Sequence, residues 1–210
     1  MKKVLIRLYE YLRRRTLFVR RWFKAPIIPK NSDGKVFVNV GCGFDTSKEF
    51  INVDVLPLPH IHYVHNISDL SMFPDNTADM VYASHVFEHI PRKNLISTLN
   101  EWKRILKKDG MLRLSVPDFD SLVAVYITEG RKVEMVQDNV LGQEPPYDNH
   151  YTLWNMETMN AVLTGAGFKN IRRWDPDTAK NHDFKDRSSR VLKAGDKQVL
   201  LSLNVEADKA

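Results

Sequence analysis

Short apolar runs alternate with longer stripes of helical spacing from residue 36 onward, and that alternation restricts the available architectures more than any other feature. Val36–Val40, Ile51–Val55, Met80–Ala83, Met111–Val116, Ile171–Trp174 and Val199–Val205 are short runs of β-branched and apolar side chains and read as strands. A further strand closes on Asn66-Ile67-Ser68-Asp69-Leu70. Between them, Leu95–Leu106 places Leu95, Leu99, Trp102 and Ile105/Leu106 on one stripe, with Gly110 beyond its end where a left-handed cap is expected. Helices are also predicted over Phe119–Thr128 and Met156–Ala166, the latter closed by Gly165 and Gly167. Strands alternating with helices imply an α/β fold with a doubly wound, mostly parallel sheet. In such a sheet the ligand lies outside the carboxyl ends of the strands.

At 210 residues, 43% apolar and 27% charged, the chain can bury a full core and is too apolar to remain disordered. Cys42 is the single cysteine. That rules out an intrachain disulfide framework and a zinc site of several thiolates, and it fits a reducing, cytoplasmic compartment. Charge divides the chain in two. Residues 1–30 hold ten Lys/Arg against one acid, Glu10, for +9, and the total of +5 leaves −4 for residues 31–210. Apolar positions from Val4 to Phe23 recur at helical spacing, then Pro26, Pro29 and the turn cluster Asn31-Ser32-Asp33-Gly34 stop the helix. The expected organisation is a basic helical arm and linker over 1–30 and an α/β domain over 31–210. Arg7, Glu10 and Arg13–Arg15 break any signal-peptide core. Three fates are open to the arm: packing on its own domain or on a second copy in a homo-oligomer, lying on an anionic membrane surface through residues 1–24 at the inner face, or, disfavoured for want of a stacking platform, contacting nucleic acid.

The residues after each strand carry the chemistry. Gly41-Cys42-Gly43 lets the backbone turn sharply and approach a ligand. A dinucleotide fingerprint would need a third glycine where Thr46 stands and room for a helix behind it, and neither is present. Asp54, at the end of the second strand, can accept both hydroxyls of a ribose. Asn66–Leu70 supplies a polar side chain and an apolar shelf for a flat heterocycle. These features describe a nucleoside site without phosphates.

With those residues in order, the chain from Lys35 onward resembles the class I S-adenosylmethionine-dependent methyltransferases. Val38-Asn39-Val40-Gly41-Cys42-Gly43 resembles the glycine motif, Asn52-Val53-Asp54 the ribose acid and Asp69-Leu70 the adenine contact. Phe73–Tyr82, Ala83–Ile90, Leu106-Lys107-Lys108-Asp109-Gly110 and Leu114-Ser115-Val116-Pro117-Asp118 complete the set. The resemblance implies a Rossmann-like fold of about seven strands with a shortened first crossover. It also implies S-adenosylmethionine as cofactor, held by Asn39, Gly41, Cys42, Gly43, Asp54, Val55, Asp69, Leu70 and Ser84. Within the superfamily the chain is most similar to small bacterial methyltransferases associated with surface-polysaccharide biosynthesis, which share a histidine like His150 before an aromatic and a closing run like Ser202-Leu203-Asn204-Val205-Glu206-Ala207. The expected acceptor is a small molecule or glycan carrying a sugar hydroxyl. Two departures stand out: Asn39 replaces the acid that would meet the methionine ammonium group, and the third glycine is missing.

A hydroxyl acceptor must lose its proton, and imidazole suits that task near neutral pH. His85, directly after the fourth strand, is the first choice of base. His150 lies in Arg131–Leu153, where an acceptor lid belongs, near Tyr147, Tyr151 and Trp154, which could stack on a sugar. Asp118 either orients a base or caps the following helix, and His89 is a catalytic candidate or a packed or capping residue. His85-Val86-Phe87-Glu88-His89 also matches H-x-x-E-H, which on a helix would aim two imidazoles at one zinc. Its position after a strand of a nucleoside-binding order, and the lack of a distinguished downstream carboxylate among Glu101, Glu129 and Glu134, argue against a hydrolase, and no metal is assigned. Glu144-Pro145-Pro146-Tyr147 resembles the loop of amino-methylating enzymes, but it follows the fifth strand and reads as a proline-stiffened loop. A protein that binds the cofactor without catalysing transfer is the principal alternative.

Overall fold

A computed structural model describes residues 27–29, 31–45, 47–143 and 148–210. The basic arm before Ile27 and the Glu144–Tyr147 segment lie outside the described residues. The strands are β1 (Phe37–Val40), β2 (Phe50–Asp54), β3 (Tyr63–Val64), β4 (Ala78–Ser84), β5 (Leu106–Pro117), β6 (Phe168–Arg173), β7 (Val191–Ala194), β8 (Lys197–Leu200) and β9 (Ser202–Lys209). The helices are α1 (Leu95–Ile105), α2 (Phe119–Thr128), α3 (Gln137–Leu141) and α4 (Met156–Gly165). Seven strands form one sheet in the order β3-β2-β1-β4-β5-β9-β6, and β7 and β8 form a separate hairpin. The pairs from β3 to β5 are parallel, and β9 runs antiparallel between β5 and β6.

Alternation along each strand separates two faces. Val38, Val40, Val53, Val81, Ala83, Leu112, Leu114, Val116, Leu203 and Val205 point to one side, where α1 and α4 cover them with Leu99, Trp102, Ile105, Met159 and Leu163. On the other side Phe37, Phe50, Met80 and Tyr82 meet Trp174, Ala179 and Phe184. That second face is the reason the chain tolerates a minimal first crossover. Between β1 and β2 the described residues form turns and no helix, and the segment after β6 supplies the cover instead. Lys180–Lys197, polar and irregular by sequence, is therefore built into the domain. Its Phe184 and His182 rings pack on Tyr82, Asp186 accepts a hydrogen bond from the Tyr82 hydroxyl, and β7 and β8 pack on α2.

Three expectations need correction. Gly110 is not a left-handed cap: Asp109 takes the positive φ of 57°, and Gly110 is required because an added Cβ would stand 2.9 Å from the Lys107 carbonyl oxygen. Val199–Val205 is two strands with a break at Leu201, because β9 enters the main sheet while β8 stays in its hairpin. The H-x-x-E-H segment is no α-helix: only Phe87–His89 is helical, in a single 3-10 turn. Among the described residues no helix is long and apolar enough to cross a membrane.

Candidate active site

The carboxyl ends of β1, β2 and β4 converge on the glycine turn. Gly41 and Gly43 both have positive φ, 68° and 53°, a region that costs a residue with a Cβ about 1–2 kcal/mol. Gly41 N–H donates to Val53 O at 2.8 Å, and Gly43 N–H donates to Asp54 Oδ2 at 2.8 Å. The other Asp54 oxygen accepts from Leu56 N–H at 2.8 Å. Asp54 is 5% exposed, so a buried carboxylate fixes the turn while keeping further lone pairs for a ligand. His60 Nε2 lies 2.8 Å from Gly43 O and braces the turn from behind. An added Cβ at Gly43 would meet nothing within 4 Å, so the turn opens onto free space there. Asn39 is buried on β1, Val55 is exposed, and Ser84 at the end of β4 has a buried hydroxyl with no hydrogen-bond partner. Open space beside a glycine turn, a buried acid and an orphan hydroxyl suit the adenosine and methionine portions of S-adenosylmethionine.

One expected cofactor contact is closed off. Leu70 is fully buried in the main core, and its N–H donates to Glu101 Oε1 at 2.8 Å, so it offers no open shelf to a heterocycle. Asp69 is exposed, and the Ser71 hydroxyl together with the Ser71 N–H holds its carboxyl below the usual range. The Cys42 side chain packs against Leu58 and Ile61, and burial pushes its thiol far above the ordinary range, leaving only its backbone to line the turn.

Directly after β4 the chain makes an unusual bend. His85 has φ 53°, a left-handed conformation for a residue with a side chain, at a cost of order 1–3 kcal/mol. Three contacts hold it: its N–H donates to Ser115 O at 2.7 Å, Nε2 lies 2.8 Å from Ser202 Oγ, and Nδ1 lies 3.4 Å from Glu88 Oε1. Ser202 in turn donates to Arg187 O at 2.8 Å. His85 is thus present at the strand end, as expected, but both its ring nitrogens are engaged.

Glu88, which the sequence offered only within the H-x-x-E-H motif, is the hub. It is 1% exposed, and neither carboxylate oxygen has a hydrogen-bond partner. Burial opposes its charge, yet the His85 and His89 rings outweigh that and hold its pKa below the ordinary value. His89 and His150 flank it with ring centroids 4.8 Å apart, and burial lowers the pKa of His150. The 148–151 segment is brought here by backbone pairing, since Tyr151 N–H donates to Glu88 O at 2.8 Å. Asp118 sits apart as the N-cap of α2, accepting from Asp120 N–H and lying 3.5 Å from Arg173 Nη1. Burial raises its pKa, with Arg173 opposing. The capping alternative describes its geometry. Trp154 stacks on Phe87 in the core at 5.0 Å and is not an open sugar platform, whereas Tyr151 is 45% exposed. Ser202 and His60 were missed as site residues. The only sequence signal for Ser202 was its place in the closing run.

Comparison with known proteins agrees with this geometry. The methyltransferase-domain family matches residues 36–114. An uncharacterized protein of Methanocaldococcus jannaschii is 32% identical over 117 residues, covering 50% of each chain, so the present chain spans about half the length of that curated relative. Among solved structures, a methyltransferase of Thermotoga maritima superposes with a TM-score of 0.55 at 17% identity, covering 98% of this chain and 96% of that one. One from Archaeoglobus fulgidus gives 0.51 at 17%, covering 93% and 94%. The 1,6-didemethyltoxoflavin-N1-methyltransferase of Burkholderia thailandensis, solved with S-adenosylhomocysteine, gives 0.52 at 14%, covering 83% and 71%. At these identities the structures speak to the fold alone. The domain match over residues 36–114 and the mostly parallel seven-stranded sheet are those of a Rossmann-like methyltransferase fold.

Proposed function

We propose that this protein transfers the methyl group of S-adenosylmethionine to a hydroxyl of a sugar or glycan in the cytoplasm. The observation that carries the reading is the convergence of the Gly41–Gly43 turn, the buried Asp54 carboxylate and the His85–Glu88 cluster at three neighbouring strand ends. When bound, the cofactor supplies a methyl group already activated by its sulfonium. The chain must then orient the acceptor, exclude water and remove a proton. Asp54 and the glycine turn position the nucleoside, with Asn39 and Ser84 facing the methionine end. His85 is the base. It acts in the tautomer that carries its proton on Nδ1, facing Glu88 at 3.4 Å, with Nε2 receiving the acceptor's proton once the acceptor hydroxyl displaces Ser202, and Glu88 stabilises the resulting imidazolium. As the acceptor oxygen takes the methyl group, its proton passes to His85. A placed base of this kind contributes about 10²–10⁴-fold.

The test is calorimetry with S-adenosylhomocysteine followed by labelled-methyl transfer to a panel of glycans and small hydroxyl compounds. Amines belong in the panel because the Burkholderia neighbour is an N1-methyltransferase. Binding without label transfer to any hydroxyl would overturn the proposed chemistry. It would favour the second reading, a cofactor-binding protein without turnover, for which Asn39 in place of an acid and the doubly engaged His85 speak. Residues 1–24, within an arm of +9 and carrying Trp22 and Phe23, are proposed to rest on an anionic membrane surface. Flotation with phosphatidylserine vesicles would end that idea if the full chain and a chain lacking 1–24 were recovered equally in solution. Self-association belongs with the same arm, and sedimentation of the two chains reads it.

A further inference from the structure

We propose that Glu88, His89 and His150 bind a divalent transition metal of the zinc class, with Asp148 as an additional oxygen donor. One ligand atom from each of the three lies within 4.8 Å of the others, and Asp148 Oδ1 is 3.8 Å from His89 Nε2. Zinc with nitrogen and oxygen ligands at about 2.0–2.2 Å sets neighbouring donors roughly 3.3–3.6 Å apart, so side-chain adjustment of about an ångström closes the shell. Two independent features point to a cation. First, His89 Nδ1 faces Asn149 O at 3.1 Å and His150 Nδ1 faces Asn139 O at 2.9 Å. A carbonyl only accepts, so each ring carries a proton on Nδ1, and its neutral form has Nε2 free to ligate. This is how outer-shell carbonyls orient metal-ligating histidines. Second, both Glu88 oxygens are buried without a hydrogen-bond partner, and the His85 and His89 rings approach Oε1 at 3.4 and 4.0 Å while Oε2 has no such neighbour among the described residues, a costly state for a carboxylate that a further cation relieves.

The set differs from the H-x-x-E-H reading of the sequence. His85 is not a ligand: it bends away in a left-handed conformation and meets Glu88 from the Ser202 side. Donors come instead from the 3-10 turn at Phe87–His89 and from the 148–151 segment, fastened together by Tyr151 N–H on Glu88 O. Two imidazoles with carboxylates select zinc-class ions over magnesium, which takes oxygen donors and keeps its waters. The site shares Glu88 with the proposed His85 pair, and its binding of Zn²⁺ is read without any acceptor.

The full chain, stripped with a chelator and desalted, should bind Zn²⁺ at about one ion per chain in calorimetry, and its melting temperature should rise with free Zn²⁺. The Co²⁺ form should show the visible bands of a site with imidazole ligands. His150→Gln and His89→Gln should weaken Zn²⁺ beyond the roughly 10–100-fold that an outer-shell loss costs, while surface His65→Ala leaves binding unchanged. Circular dichroism checks that each variant is folded. If a variant unfolds, the wild-type Co²⁺ spectrum decides. Absence of stoichiometric Zn²⁺ or of those Co²⁺ bands, or variants that bind Zn²⁺ like wild type, overturns the proposal.

Discussion

Alanine at Gly41 and at Gly43 should separate the two tasks of the glycine turn. At Gly41 the new Cβ would stand 2.5 Å from Val86 Cγ2 and 2.8 Å from Cγ1, with φ at +68°. The left-handed backbone costs about 1–2 kcal/mol and the collision, in a site that cannot swing aside, about 1–3 kcal/mol. Gly41→Ala should therefore lower stability by roughly 2–5 kcal/mol. At Gly43 φ is +53° and the Cβ meets nothing within 4 Å, so only the backbone share of about 1–2 kcal/mol applies. Urea denaturation without cofactor reads both, as midpoint shifts at constant slope. Val86→Ala in the Gly41→Ala background removes the collision, so the double-mutant cycle should show a favourable coupling of about 1–3 kcal/mol. Titration with S-adenosylhomocysteine completes the test, because the Gly43 methyl enters the space assigned to the cofactor and should weaken binding despite a mild effect on stability. Equal destabilisation by the two alanines, no coupling to Val86, or unchanged affinity in Gly43→Ala would refute the placement of the turn.

Other perturbations probe the scaffold. Glu206 accepts from buried Arg113 at 2.6 and 2.8 Å and from Arg172 at 3.1 Å, so Glu206→Gln should destabilise by about 3–5 kcal/mol in urea melts by stranding the Arg113 charge. Leu99 is fully buried in the α1 stripe, and Leu99→Ala should cost about 2–5 kcal/mol in the same assay. Asn155 caps α4 by accepting from Thr158 N–H at 3.0 Å in a reciprocal capping box, so Asn155→Ala should cost about 0.5–2 kcal/mol. The Arg104 guanidinium beside Glu101 holds its carboxyl below the ordinary 4.5. A carboxyl lowered in the fold adds stability that is fully present above its unfolded pKa and is lost as pH falls through the folded one. Melting temperature should therefore drop less steeply below about pH 4.5 in Glu101→Gln than in wild type.

Local signals were readable where one element decides them. The α1 stripe ended within one residue of its predicted limit, and Phe119–Thr128 was placed without error, because burial on one side imposes a period that any window of the chain displays. The glycine turn and Asp54 were equally plain, since backbone conformation and a strand-end carboxylate are properties of neighbouring residues. What escaped was set by partners distant in sequence. Leu70 reads as an apolar shelf, yet Glu101, on a helix that starts later, takes its N–H and closes it into the core. Ser202 reaches His85 across 117 residues only because β9 inserts antiparallel beside β5. The cluster on Glu88 has the same origin. The sequence offered His85, Glu88 and His89 as one helical face, but the left-handed bend at His85 leads into a single 3-10 turn, and His85 meets Glu88 from the Ser202 side. The 148–151 backbone then docks on that turn and brings His150 beside Glu88 and His89. A short motif fixes which donors exist nearby. Which of them share a centre depends on one backbone dihedral and one tertiary hydrogen bond, and here those two put a buried glutamate between three imidazoles.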